Sequence, residues 1–156
     1  MFPTSNKNKN NLGYHIISIK EPLSVVAEQY RKLRTNIDYS TFGRKIKIIN
    51  LTSTNKGEGK TVTVLNLAAV YAQAGKKTLV VDMDLRRPKI HRAFNIVNEN
   101  GLTEMVSEGK DIREAIRHVD DNLYLLPAGK KIPFSAEFLM SEQVKNSMEA
   151  LRNDYD

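Results

Sequence analysis

Residues 45–82 read KIKIINLTSTNKGEGKTVTVLNLAAVYAQAGKKTLVVD, and three patterns follow one another within them. The segment 45–52 (KIKIINLT) is rich in β-branched residues and predicts a buried strand. A polar, glycine-containing loop covers 53–59. From 61 to 74 the residues Val62, Leu65, Ala69 and Ala72 recur at helical spacing, and Gly75 ends the helix. The segment 78–82 (TLVVD) is a second strand, too apolar to expose either face, as parallel strands usually are. Strand, loop, helix and strand in this order build an α/β fold with a parallel sheet flanked by helices.

The loop carries the chemistry. Thr54-Asn55-Lys56-Gly57-Glu58-Gly59-Lys60-Thr61 matches the phosphate-binding loop ending in G-K-[ST], with Thr54 where the usual pattern has glycine. Backbone N–H groups must converge on a triphosphate, so side chains have to be small or point away, as at Gly57 and Gly59. The loop feeds a helix N-terminus, whose partial positive charge favours phosphate. Lys60 then reaches the β- and γ-phosphates, and the Thr61 hydroxyl is placed to ligate Mg²⁺. The candidate nucleotide-binding residues are therefore Ser53, Asn55, Lys56, Gly57, Glu58, Gly59, Lys60 and Thr61. A glycine-rich turn that only caps a helix is the plainer alternative. The strand before it and the apolar-faced helix after it supply the context that the phosphate-binding motif requires.

The second strand closes on Asp82-Met83-Asp84. In a strand, carboxylates at i and i+2 share a face, and at its C-terminal edge they would project toward the crevice of the phosphate loop. Beside a triphosphate, two carboxylates make sense with Mg²⁺ between them, or with one serving as proton acceptor. Taken alone, a pair of solvated strand-end acids is as good a reading; the phosphate loop upstream decides for function.

Outward from this unit the signals weaken. The first dozen residues, dominated by Asn and Lys, predict a disordered tail over 1–14. A short extended piece at 15–19 precedes a helix over 24–39, in which Val26, Tyr30, Leu33 and Ile37 form one apolar stripe. Downstream, a short helix around 90–94, helices over 101–106 and 112–117, a strand over 122–126 and one or two helices over 136–151 are expected.

The composition excludes several classes of protein. There are 24 basic and 18 acidic residues, a net charge of +6, and 40% hydrophobic residues, enough to bury a core. The basic residues are scattered, with no block of five or six like charges, so no nucleic-acid partner is expected. The absence of cysteine removes disulfides, thiolate metal sites and cysteine nucleophiles, and fits a reducing cytosol. No apolar run is long enough to span a bilayer and no secretory signal opens the chain. Any attachment to a membrane would go through a partner.

The run GEGKTVTVLNLAAVYAQAGKKTLVVDMDLRRPKIHRAF resembles the bacterial tyrosine kinases (BY-kinases) of capsule and exopolysaccharide synthesis, relatives of the MinD/ParA ATPases. The resemblance extends back through PLSVVAEQYRKLRTNIDYS and forward through GLTEMVSEGK and NLYLLPAGKKIP, so one ATP-binding domain is expected over 15–156. It implies an autophosphorylating protein-tyrosine kinase using ATP and Mg²⁺. Lys60 and Thr61 would bind phosphates and metal, and Asp82 and Asp84, in the Walker A′ motif, would serve metal coordination and activation of the tyrosine hydroxyl. It also implies a transmembrane activator or chain-length regulator as partner, at the inner face of the cell membrane. Glu28, Arg31 and Arg34 match the family's E-x-x-R-x-x-R motif for ring-type self-association. At about 100° per residue they span about 120° beside the apolar stripe, free to pair with another subunit.

The chain also departs from the family pattern. The MinD/ParA ATPases carry a signature lysine where Asn55 stands here, and Lys56 stands where the kinases often have proline. After Tyr155-Asp156 the family continues into the Walker B strand and later a tyrosine cluster. The expectation is a fragment that lacks both, poor in kinase activity and with an open sheet edge. The stretch 132–139 replaces a Pro-Asn-Pro-rich version. Two other functions compete with the kinase: a MinD/ParA-like ATPase, and a non-catalytic subunit that binds nucleotide or only assembles.

Overall fold

The computed structural model describes residues 16–40, 45–55 and 57–156. The tail expected over 1–14, together with His15 and Lys56, lies outside them. The described elements are α1 (Ile17–Lys20), α2 (Val25–Tyr39), α3 (Lys60–Gln73), β1 (Thr78–Val81), α4 (Ile90–Ala93), α5 (Leu102–Ser107), a 3₁₀ turn (Ile112–Ala115), β2 (Arg117–Asp120), β3 (Leu123–Leu126), α6 (Ser135–Leu139) and α7 (Glu142–Leu151).

The sheet order is β1-β3-β2. β1 and β3 pair in parallel, with Val80 opposite Leu125 and Val81 opposite Leu126. β2 pairs antiparallel with β3 and is irregular between His118 and Asp120. Alternation along the strands divides the core in two. On one face Val80, Leu123 and Leu125 pack with Leu65, Ala68, Ala69 and Ala72 of α3, and with Ile16, Ile90 and Ala93. On the other, Leu126 packs with Leu102, Met105, Ile112, Ala115 and Leu151, joined by the half-buried Leu79 and Val81. Helices thus cover both faces, the layering expected of an α/β fold.

Helix α3 is buried over every residue from Leu65 to Val70, and again at Ala72. Asn66 in its middle is fully enclosed. Its Nδ2 donates to Val62 O at 2.9 Å, and its Oδ1 accepts from Ser18 N at 2.9 Å. Gln73 Nε2 donates to Ser18 O at 2.7 Å. With both backbone groups of Ser18 taken by α3, the extended piece expected at 15–19 gives way, over its described residues, to the helical turn α1.

Helix α2 forms where expected, with Ser24 Oγ accepting from Ala27 N at its start. The apolar stripe does not enter the core. Ala27 is the one buried residue of α2, while Val26 is 48% and Leu33 38% exposed. Polar ties hold α2 to α3 instead: Arg34 Nη1 donates to Val70 O at 2.8 Å, and Tyr71 Oη donates to Asp38 Oδ1 at 2.9 Å.

Two further expectations change. The segment 45–52 is not a strand; Ile48 is 65% exposed, and no described strand runs beside this segment to supply a ladder. Side-chain ties fasten only its start: Lys47 Nζ donates to Tyr155 O at 2.6 Å and Lys45 pairs with Asp156 at 3.3 Å. The helix expected over 112–117 is a 3₁₀ turn followed by β2. Ile112 and Ala115 bury one turn apart, and pairing with β3 claims Arg117 onward.

Leu125 is 0% exposed, so Leu125→Ala is expected to cost about 2–5 kcal/mol, whereas Ile48→Ala stays within about 0.5 kcal/mol. Urea unfolding followed by circular dichroism reads both.

Candidate functional site

Four residues join α3 to β1, and they turn the chain back. The N-terminus of α3 and the C-terminal end of β1 therefore share one edge of the sheet, and the parallel β3 ends on the same edge.

The loop entering α3 has the backbone its glycines anticipate. Gly57 and Gly59 sit at φ 89° and 86°, left-handed values that side-chain-bearing residues reach at a cost of about 1–2 kcal/mol. Gly59 is the N-cap of α3, and Thr63 N donates to its carbonyl at 2.9 Å. The N–H groups of the first turn are thereby left facing outward for an anion. Lys60 folds back over the loop, its Nζ donating to Ser53 Oγ at 2.8 Å, and Ser53 Oγ donates to Asn55 O at 3.0 Å.

Asn55 and Glu58 hold each other. Asn55 N donates to Glu58 Oε2 at 3.1 Å, and Asn55 Nδ2 donates to Glu58 Oε1 at 3.0 Å. The backbone N–H of Asn55, then its amide, keep the Glu58 carboxyl below the ordinary carboxylate range. The pair braces the loop against itself. Thr61 is half-buried in the first turn of α3.

The two acids separate. β1 ends at Val81, so the period-two rule no longer governs Asp82 and Asp84. Asp82 is buried at 2% exposure. Its Oδ1 accepts from Asp84 N at 3.2 Å, and its Oδ2 from Lys89 N at 3.2 Å and Ile90 N at 3.1 Å. Burial pushes its carboxyl up, and the three N–H donors pull against that. Asp84 is exposed, with Oδ1 accepting from Arg87 N at 3.0 Å. Among the described residues no three histidine, aspartate or glutamate side chains gather as a metal cage. Mg²⁺ takes one or two protein oxygens and completes its shell with phosphate and water. Thr61 and Asp84 offer such oxygens at this edge.

The third wall of the edge was not anticipated from the sequence. Glu104 is buried, and its carboxylate accepts from Asn100 N and Gly101 N at 3.1 Å, Thr103 Oγ1 at 2.8 Å and Lys130 N at 3.2 Å. Burial works to raise this carboxyl, but the donors outweigh it and hold it below the usual range. Asn98 grips Gly129 from both sides, its Nδ2 donating to Gly129 O at 2.6 Å and its Oδ1 accepting from Gly129 N at 3.0 Å. A Cβ on Gly129 would strike the Glu104 carboxylate and Thr103 Oγ1, and one on Gly101 would strike Gly129 N and Pro127 O. The signal was present as G-x-x-E at the start of α5, where the N3 glutamate reaches back to the N-cap. What the sequence could not show is that the same carboxylate reaches Lys130.

The expected interface residues behave differently from one another. Glu28 and Arg31 pair within α2 at 2.8 Å, and Arg34 is turned inward on Val70 O. They are not three free groups. Two clefts among the described residues, around Gln73 and Asn122 and around Lys77 and Tyr124, lie at the opposite edge of the sheet from the phosphate loop.

Residues 46–156 match a protein family described as "AAA domain". The chain is 40% identical over 141 residues to the tyrosine-protein kinase YwqD of Bacillus subtilis, covering 89% of this chain and 60% of that protein. Among solved structures, the chimerical protein CapA2B2 superposes with a TM-score of 0.85 at 33% identity, over 90% of this chain and 62% of that one. The kinase domain of the Escherichia coli tyrosine kinase ETK superposes at 0.85 and 27% identity, over 98% and 60%. The chain thus spans 60% of YwqD and of CapB of Staphylococcus aureus, and 20% of the tyrosine-protein kinase ptk of Acinetobacter johnsonii.

Because Asn55 donates to the ionised Glu58, Asn55→Ala should raise the Glu58 pKa part of the way back toward the free value, the Asn55 backbone N–H remaining in place. Side-chain carboxyl titration by NMR reads this shift; an unchanged Glu58 would refute the brace.

Proposed function

The chain belongs to the AAA domain family, in the branch of the bacterial tyrosine-protein kinases, and on that premise we propose that it binds ATP with Mg²⁺ and passes the γ-phosphoryl group to protein tyrosine. The observation that carries this reading is the glycine-turned loop that delivers Lys60 and Thr61 into the first turn of a long, buried helix. Catalysis of this kind is mostly positioning and charge neutralisation.

The amides from Gly57 to Lys60 would cradle the phosphates, with Lys60 leaving Ser53 Oγ for the β- and γ-phosphates. Mg²⁺, when bound, would neutralise charge on the phosphate oxygens. Thr61 would hold it together with phosphate and water, and Asp82 would keep the turn after β1 in shape through its three N–H contacts. The acceptor tyrosine Oη attacks the γ-phosphorus. The bond to the β–γ bridging oxygen breaks, ADP leaves, and the hydroxyl proton passes to Asp84, whose Oδ2 is left for this role.

The wider setting follows from the same premise: regulation of capsular or exopolysaccharide synthesis and export, next to a transmembrane activator at the inner membrane face. No helix among the described residues is long and apolar enough to cross a membrane. Self-association would use α2, where Val26 and Leu33 are exposed beside the Glu28–Arg31 pair, with Leu23 exposed just before it. A MinD/ParA-like ATPase is less well supported, since Asn55, at its signature-lysine position, is tied to Glu58.

Calorimetry with ATP and Mg²⁺ should show uptake that weakens at least about tenfold, or about 1.4 kcal/mol, in Lys60→Met. An antiphosphotyrosine blot should lose its signal in the same variant. Uptake without phosphotyrosine would select the non-catalytic reading, and no uptake would refute nucleotide binding. Leu33→Glu should shift a self-associated form toward monomer in sedimentation velocity, and an unchanged profile would exclude α2 as the contact.

A further inference from the structure

We propose that the sheet edge beyond β1 and β3 docks an acidic, tyrosine-containing peptide, which rests on the kinase reading above for its role as phosphoryl acceptor. The segments that leave β1 and β3 run side by side, joined where Asp82 N donates to Leu126 O at 3.0 Å. Each is shaped around a buried carboxylate. Asp82 accepts from the backbone of 84, 89 and 90, and Glu104 from the backbone of 100, 101 and 130.

With those two acids turned inward, the outward charge is left unbalanced. Arg86, Arg87, Arg92, Lys130 and Lys131 are exposed, and none of them takes part in an ion pair among the described residues. The exposed carboxylates on the same segments are Asp84 and Glu99. Elsewhere surface cations do find acids, as in Arg113 with Asp154 and Arg152 with Glu149. An unpaired basic rim of this kind attracts and orients an acidic partner.

Its position separates it from the triphosphate. On the edge of β1 away from β3, Asp156 N donates to Lys77 O and Asp156 Oδ2 accepts from Lys77 N, both at 2.9 Å. Asp156 also pairs with Lys45. The segment that leads into the phosphate loop therefore starts on the far side of β1, while Lys130 and Lys131 follow β3 on the other side. Asp84 stands between them. In-line transfer requires the acceptor to approach opposite the leaving ADP, so under this proposal the peptide would enter from the β3 side.

The test is fluorescence anisotropy of the whole chain, with ADP and Mg²⁺, against a labelled peptide carrying tyrosine between glutamates and a second carrying tyrosine between glutamines. The glutamate peptide should bind about tenfold tighter or more, and the gap should close as salt is raised. The double change Arg86→Glu, Lys131→Glu should abolish the gap and leave uptake of a fluorescent ATP analogue unchanged. The milder Lys131→Gln, checked by circular dichroism for an intact fold, should narrow it. Equal binding of the two peptides overturns the proposal, as does an undiminished gap in the double variant. An oligonucleotide of equal charge bound as tightly as the glutamate peptide overturns it too, by revealing an unselective polyanion surface. Preference for the glutamate peptide without any nucleotide uptake would leave the docking surface standing and bring down the nucleotide reading alone.

Discussion

Helix α3 cannot be moved without undoing the molecule, because it is enclosed by α1 and α2 on one side and the sheet on the other. Its small residues Ala68, Ala69 and Ala72 let β1 and β3 approach, and Asn66, with no exposure to water, must have its amide satisfied inside. That requirement fastens α1 through Ser18. Because α3 starts at the left-handed Gly59 and returns directly into β1, its fixed position also fixes which edge of the sheet receives the phosphate loop and the acids after β1.

The functional edge is then shaped by buried carboxylates rather than by secondary structure. Asp82 and Glu104 are each enclosed, a situation that costs free energy unless the charge is met by donors. Each meets that cost by collecting backbone N–H groups from separate turns, Asp82 from the turn into α4 and Glu104 from the turn into α5 and the loop after β3. The result is an irregular surface held as firmly as a strand ladder would hold it. Asp84, one residue past Met83, remains at the surface with an oxygen for a ligand. Two acids that look equivalent in a strand pattern thus divide into one that shapes the site and one that faces it.

Much of this was legible in the chain itself. The phosphate loop needs glycine at 57 and 59 for reasons of backbone conformation alone, and both are left-handed as that logic requires. The apolar period of 61–74 and the β-branched run at 78–82 gave α3 and β1 because the middle of α3 and Val80 of β1 are buried in one core, so local pattern and tertiary environment agree. Where they disagree the reading changes. The run 45–52 has strand composition, but composition supplies no ladder. The stripe on α2 has helical period, but whether a stripe faces a core depends on what lies across from it.

What the sequence alone determined was the class of fold, the left-handed glycines of the loop entering α3, and the pair of acids beyond β1, since these follow from residue type at short spacing. Only the tertiary structure decided that Asn55 braces Glu58, that Arg34 turns inward, and that Asp82 and Asp84 part company. It alone brought Glu104 to Lys130. The physical reason is common to all: a hydrogen bond between distant segments depends on which backbone groups the packing leaves unpaired, and no local pattern records that.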